Sequence, residues 1–200
     1  LMNAREFAEY KKEYYEDAAT YEGYTGGVPE QYQDPSQYTG ANSGTNWFNV
    51  LLRNALMQNY DLLLSSGTKK LKSVVNIDYN RQNGVMINQW AERYTGRANI
   101  VYDMTDRLQF GLNMNAIYRN QNITPNLGEG RNIIQQAYLT DPTVKYKNAD
   151  GTYPIGWSQP GMFNVPNWYQ VLQLTVNRTK DLTLISNVYG SYEILDGLKY

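Results

Sequence analysis

The chain has 200 residues, with 18 Lys and Arg against 19 Asp and Glu and a formal net charge of −1. That balance, without a basic patch interleaved with aromatics, argues against a nucleic-acid binder. Cysteine and histidine are both absent, which removes disulfides, thiolate metal sites, the commonest general base and the usual zinc ligand.

The length suffices for one domain with its own core. Apolar runs are no longer than the Leu62-Leu63-Leu64 kind, far short of the ~20 residues a membrane helix needs. Barrel strands carry a much weaker hydropathy signal, so a membrane stays open. The chain opens at Leu1-Met2 without the features of a signal peptide. It stops at Gly197-Leu198-Lys199-Tyr200, straight after a turn-like Asp196-Gly197, and reads as a piece of a larger polypeptide.

In chain order, residues 3–18 predict a helix, with Asn3 as N-cap, Glu6 three residues on, and an apolar stripe of Phe7, Tyr10, Tyr14 and Ala18. Its other side carries Glu9, Lys12, Glu13, Glu16 and Asp17, a solvated face or a partner surface. Residues 19–45 are rich in Gly, Pro, Gln, Asn and Tyr without a sustained period and read as loop. A short helical turn is expected near Trp47–Arg53.

From Gln58 the side chains alternate with the period of two that defines a β-strand. Tyr60, Leu62 and Leu64 oppose Asn59 and Asp61. After a tight Gly67-Thr68-Lys69-Lys70, Leu71, Val75, Ile77 and Tyr79 oppose Lys72, Asn76, Asp78 and Asn80. A longer link through Asn83-Gly84 leads to Arg93–Met104, where Ala98, Ile100, Tyr102 and Met104 oppose Arg97, Asn99 and Asp103. A turn at Thr105-Asp106-Arg107 precedes the clearest case: Leu108, Phe110, Leu112, Met114, Ala116 and Tyr118 against Gln109, Gly111, Asn113, Asn115 and Arg119.

An irregular stretch follows from about Asn122 to Lys180, with a helix expected at Arg131–Leu139 and turns at Asp141-Pro142 and Asp150-Gly151. Val171–Thr179 is a further strand candidate, assigned here to the loop. Leu182, Leu184, Val188, Tyr192 and Ile194 then resume the period.

The connections therefore run short, long, short, very long, short. Outer-membrane barrels alternate short periplasmic turns with long extracellular loops, whereas a soluble meander has no reason to keep its long loops at one end. A structureless loop of that length is also unusual in a compact domain and typically functional. Both arguments favour a barrel over a soluble sandwich. On that reading Leu62, Leu64, Ile77, Ile100, Phe110, Leu112 and Met114 face lipid, and the polar set lines a lumen.

Catalysis finds little support. Asp103 and Asp106 flank a turn, and Asp61 and Asp78 fall on the polar face, so turn chemistry or polar lining accounts for them. Asn148-Ala149-Asp150-Gly151 lacks the ligand alternation and distal Glu of a calcium loop and reads as an Asp-Gly turn. Asn122-Ile123-Thr124 matches a glycosylation sequon by chance. The chain is expected to be no enzyme, with no cofactor and no metal. Tyrosine is the most over-used residue, 19 in all; interfacial girdles, ligand platforms and plain β-propensity each account for it. Tyr138, Tyr153, Trp157, Phe163, Trp168 and Tyr169 in the long loop are candidates for substrate or lid contact, or for packing the loop against itself.

Gly44-Thr45-Asn46-Trp47-Phe48, then Arg53-Asn54-Ala55 and Gln58-Asn59-Tyr60 with Ser66-Gly67, resemble TonB-linked outer-membrane transporters of the SusC/RagA type. So do Arg93–Asn99 followed by Leu108–Asn115, Asp141-Pro142 with Asn148-Ala149-Asp150-Gly151-Thr152, Pro166-Asn167-Trp168, and Tyr192-Glu193-Ile194-Leu195-Asp196-Gly197-Leu198. The resemblance runs nearly end to end. It implies an all-β architecture: an antiparallel transmembrane β-barrel segment, part of a 22-stranded plugged barrel, with helices in extracellular loops. Residues 1–57 would be an extracellular loop region, 58–121 four barrel strands, 122–180 a long extracellular loop, and 181–200 a strand, a periplasmic turn and the start of the next strand. It implies location in the outer membrane of a Gram-negative, Bacteroidetes-type bacterium. It further implies import of an oligosaccharide or peptide driven through TonB, with a SusD-like surface lipoprotein as lid. The rival reading is a soluble or surface-attached β-rich carbohydrate-binding module, with a glycoside hydrolase as a third.

Overall fold

The structure, a computed structural model, describes residues 1–40, 43–123, 133–154 and 166–200. The chain forms two compact units, one of residues 54–124 and 176–200 and one of residues 1–53 and 125–175.

The first unit is a sheet. Its strands are β1 (Met57–Gly67), β2 (Leu71–Asn83), β3 (Trp90–Asp103), β4 (Leu108–Asn122), β5 (Arg178–Leu195) and β6 (Leu198–Lys199), paired antiparallel in chain order. The sheet does not close: β1 has no partner on its outer side among the described residues. Both tight turns are built on a threonine. Thr68 Oγ1 accepts from the backbone N–H of Lys70 and Leu71 at 3.3 and 2.9 Å, and Thr105 Oγ1 accepts from those of Arg107 and Leu108 at 3.2 and 3.0 Å. The turn into β6 needs a left-handed residue, and Gly197 supplies it at φ 85°.

The strands outrun their hydrophobic alternation at the long-loop end. β3 begins at Trp90 rather than Arg93, β4 continues to Asn122, and β5 begins at Arg178. Asn83, Trp90, Asn122 and Arg178 form one more row of the ladder. Polar residues there carry no period, but backbone pairing continues regardless.

The second unit is helical. α1 (Ala4–Tyr21) starts at a reciprocal capping box, with Asn3 Oδ1 accepting from Glu6 N and Glu6 Oε2 accepting from Asn3 N, both at 2.9 Å. Its buried face is Ala4, Ala8, Tyr15 and Ala18, with Phe7 half-buried. The expected stripe is corrected accordingly: Tyr10 and Tyr14 are exposed. The alanines let neighbouring chain approach closely, and Tyr32 and Tyr38 fill the volume beside them. α2 (Glu30–Gln33) and a 3₁₀ turn at Pro35–Gln37 interrupt the segment read as loop.

Three short helices share one device. α3 (Trp47–Leu51), α4 (Ile133–Leu139) and α5 (Trp168–Leu174) each bury residues four apart: Trp47 and Leu51, Ile133 and Ala137, Trp168 and Leu172. Residues 131 and 132, where the second was expected to begin, lie outside the described residues. Of the strand-or-loop candidate Val171–Thr179, residues 171–174 belong to α5, 175–177 are irregular, and Arg178 and Thr179 open β5. Asn167 caps α5 by accepting from Gln170 N at 3.2 Å, which fixes a helical turn before the β-branched Val171 and Thr175 can act as strand formers.

Candidate functional site

The register turns the alternation into a two-faced wall. On one face Tyr60, Tyr79, Tyr94, Tyr118 and Leu182 stand side by side across five strands. Below them come Leu62, Ile77, Gly96, Ala116 and Leu184, then Leu64, Val75, Ala98, Met114 and Ser186, then Ser66, Ser73, Ile100, Leu112 and Val188. Tyr102 and Phe110, then Leu108 and Tyr192, finish the face at the short-turn end. All seven residues expected to face lipid lie on this one surface. Most of it is open to solvent: Leu62 is 53% exposed, Leu184 62% and Val188 73%.

The face is banded. Tyr60, Tyr79, Tyr94 and Tyr118 form a continuous ring contact, with centroids 6.1, 4.8 and 6.1 Å apart. Tyr94 and Tyr102 lie eight residues apart on β3, about 26 Å along a strand and roughly 20 Å once strand tilt is removed. An apolar belt of that height between two aromatic rows matches the hydrocarbon span of an outer-membrane barrel. Five strands of that height present on the order of 600 Å² of largely apolar surface, at the top of the range that a soluble monomer leaves uncovered and of the size that marks an interaction or membrane surface. The periodicity identified these tyrosines singly. Only the register made them a row, through the 67–72 hairpin that puts Tyr60 opposite Tyr79.

The opposite face is amide-rich and charged. Asn99, Asn113 and Asn187 form a row, as do Asn59, Asn80, Arg93, Arg119 and Asp181. Asp61 and Asp78 sit directly opposite each other, a like-charge pairing that needs neighbours. Asn76 Nδ2 donates to Asp61 at 2.7 Å, and Arg93 lies 3.6 Å from Asp78. At the short-turn end Gln109 Nε2 donates to Asp103 at 2.7 Å.

In the helical unit the loop aromatics divide. Tyr138 is 59% exposed and meets Phe48 edge-on at 4.6 Å. Tyr169 contacts the exposed Tyr146 at 5.0 Å and the half-buried Tyr153 at 6.0 Å. Trp168 is only 3% exposed and is core, with no face left for stacking on a solute. Trp157 and Phe163 lie outside the described residues. A cleft of about 470 Å³ opens between the start of α1, the residues before α3 and the end of α4, lined among others by Phe7, Trp47, Tyr138 and Pro142.

The centre of this unit is Asp141, which the sequence showed only as part of a turn. It is 1% exposed. Its carboxylate accepts from Tyr32 Oη and from Thr143 N and Oγ1, the latter two at 2.7 Å, and its carbonyl accepts from Trp47 Nε1 at 2.9 Å. Burial, and then the Asp141 carboxylate, push the Tyr32 phenol well above the ordinary tyrosine range. Burial also raises Tyr15 and Tyr38. The Asn148–Thr152 stretch is a closed turn: Asp150 accepts from Thr152 N at 2.9 Å and Oγ1 at 2.7 Å, and Gly151 has φ 87°.

No family model matches the chain. It is 29% identical over its whole length to TonB-dependent receptor P3 of Formosa agariphila, and 28% identical over 64% of its length to TonB-dependent receptor P26 of the same organism. The chain resembles TonB-dependent receptors from end to end. It spans 18% and 12% of those two relatives. Among solved structures, one titled as the RagAB peptide transporter matches all of the chain with a TM-score of 0.65 at 15% identity, over 24% of its own length. One titled as the RagAB peptide importer in a closed-closed state matches with a TM-score of 0.62, also at 15% identity and over 24% of its length. The fold is therefore similar to part of those transporter structures, in keeping with the motif resemblance and with a sheet left open at its edge.

Proposed function

We propose that this chain is an arc of the wall of a TonB-dependent outer-membrane importer, together with two of its extracellular loop regions. The observation that carries the reading is the two-faced sheet: an uncovered apolar belt about one hydrocarbon layer tall between aromatic rows, backed by a polar face, in a chain that resembles TonB-dependent receptors throughout. The apolar face meets lipid and the amide-rich face meets the lumen. Residues 1–57 and 122–180 are the importer's extracellular loop regions. The cargo is an oligosaccharide or a peptide, and a SusD-like surface lipoprotein acts as lid; the likeness to a structure titled as the RagAB peptide transporter favours a peptide. Transport consists of capture and gated passage, with no covalent step.

The test is the intact mass of the native protein in detergent-extracted outer membranes, followed by uptake of labelled oligosaccharides and peptides. A species several-fold heavier than 23.0 kDa, with uptake that a protonophore abolishes, is expected. A detergent-free soluble chain of about 23.0 kDa overturns the reading.

A further inference from the structure

The β1–β2 and β3–β4 hairpins are closed by tight threonine turns that fix which residues pair. β4 and β5 have no such turn, since residues 123–177 lie between them. Alternation of the two faces excludes a slip by one residue, which would turn the apolar set to the polar side, but it tolerates a slip by two. The strands must therefore be held at their ends by something other than a turn. At the long-loop end the last row of the ladder is Asn83, Trp90, Asn122 and Arg178, and one side chain there makes two bonds at once. Asn122, 8% exposed, donates from Nδ2 to Asn88 O at 2.6 Å and accepts at Oδ1 from Asn177 N at 3.0 Å. Beside it, Ile123 N donates to Asn177 O at 3.3 Å.

Both partners of Asn122 are backbone groups outside the strands. Asn88 belongs to the loop between β2 and β3. It is the only non-glycine residue with left-handed backbone among the described residues, at φ 59°, a conformation that most side chains make costly and asparagine bears best. Asn177 is the last residue of the excursion before β5. One partner is a carbonyl and the other an N–H, so a side-chain amide serves both. An aspartate in its place keeps the second bond and loses the first, and a leucine loses both.

We infer that Asn122 is a clasp that couples the 84–89 loop to the base of the 123–177 excursion, so that the two move together while the pairing of β4 with β5 stays fixed. The 84–89 loop is itself closed, with Gly84 N donating to Gln89 O at 2.8 Å and Gln89 N to Met86 O at 3.4 Å, and it is carried as a piece by the bond at Asn88. Motion of the excursion that reaches Asn177 passes through a buried amide to that loop rather than into the first pairs of β5. The clasp resists opening because each bond broken leaves a buried polar group unsatisfied. The asparagine that opens the Asn122-Ile123-Thr124 sequon is thereby committed to the fold. The inference goes beyond the wall reading and holds whichever face meets lipid.

The experiment is hydrogen exchange of the full-length protein in detergent micelles, read by mass spectrometry on peptides covering residues 84–90 and 175–180. It compares the wild type with Asn122→Asp and Asn122→Leu. In the wild type the Asn177 amide, although outside the strand, is expected to exchange as slowly as the paired amides of β5. Fast exchange there overturns the clasp without recourse to any variant. Asn122→Asp is expected to speed exchange at least about tenfold in 84–90 and to leave 175–180 unchanged, because only the donor to Asn88 is lost. Asn122→Leu is expected to speed both. An equal response of the two peptides to Asn122→Asp overturns the coupling, and so does a uniform rise over all strands, which general loss of stability would give. Unchanged exchange in either assembled variant overturns it too. Should Asn122→Leu fail to assemble, the wild type and the isosteric aspartate decide.

Discussion

Tyr189 of β5 lies across Gly111 of β4, its partner in the register, so that a Cβ added at Gly111 would collide with the ring. The pair sits on the polar face near the short turn. A glycine in mid-strand weakens a sheet unless something fills its space, and here the tyrosine does. Gly111→Ala should therefore cost about 1 to 3 kcal/mol through overpacking and lower the folded fraction on heat-modifiable gels. Adding Tyr189→Ala should restore part of the loss. A double variant worse than the single one would show that the ring is not what the methyl meets.

The two faces of β4 can be compared one residue apart. Leu112→Arg places a charge in the belt and should cost about 2 to 4 kcal/mol, with impaired assembly, whereas Asn113→Arg on the polar face should be tolerated. Outer-membrane yield and urea titration in micelles read the difference. Equal tolerance would sink the facing assignment.

Asp141 tests the helical unit separately. Asp141→Ala removes the acceptor of Tyr32 Oη, Thr143 N and Thr143 Oγ1 and should destabilise that unit by roughly 2 to 4 kcal/mol. Hydrogen exchange should rise in α1 and α3 and stay unchanged in β2–β4. Uniform exchange across both units would contradict this.

The same contact gives a pH dependence. The Tyr32 phenol is raised above its ordinary value in the folded protein, so the protonated form is the one the fold favours. Its contribution to stability is complete below the unfolded tyrosine pKa of about 10 and is lost as pH climbs beyond it. Tyr15 and Tyr38 shift the same way. Alkaline absorbance titration should show late-ionising tyrosines together with loosening of the helical unit, and Tyr32→Phe should remove one of them. A titration unaltered by that substitution would refute the assignment.

What could be read from the chain follows from where the information is stored. Strand faces were legible because period two is written in consecutive residues such as Leu108 to Tyr118, and Asn3 with Glu6 announced α1. Row membership was not, because whether Tyr60 meets Tyr79 depends on turn length and register. Tyr10 and Tyr14 looked like core because they are aromatic, while the burial went to alanines whose small size carries no hydropathy signal. Asp141 gave no hint of burial, since an Asp before Pro reads as a turn; the phenol that meets it is 109 residues away. α5 was hidden by β-branched residues at its end, although Asn167 as a cap was available to be noticed.

The pairing of β4 with β5 spans residues 123–177, while every other neighbouring pair is joined by a handful of residues. Loop-closure entropy grows only with the logarithm of length, about 0.6 kcal/mol for each doubling. That excursion can therefore gain or lose whole turns over evolutionary time with little penalty to the wall. The register of β4 against β5 is thereby insulated from the length and the sequence of the segment between them.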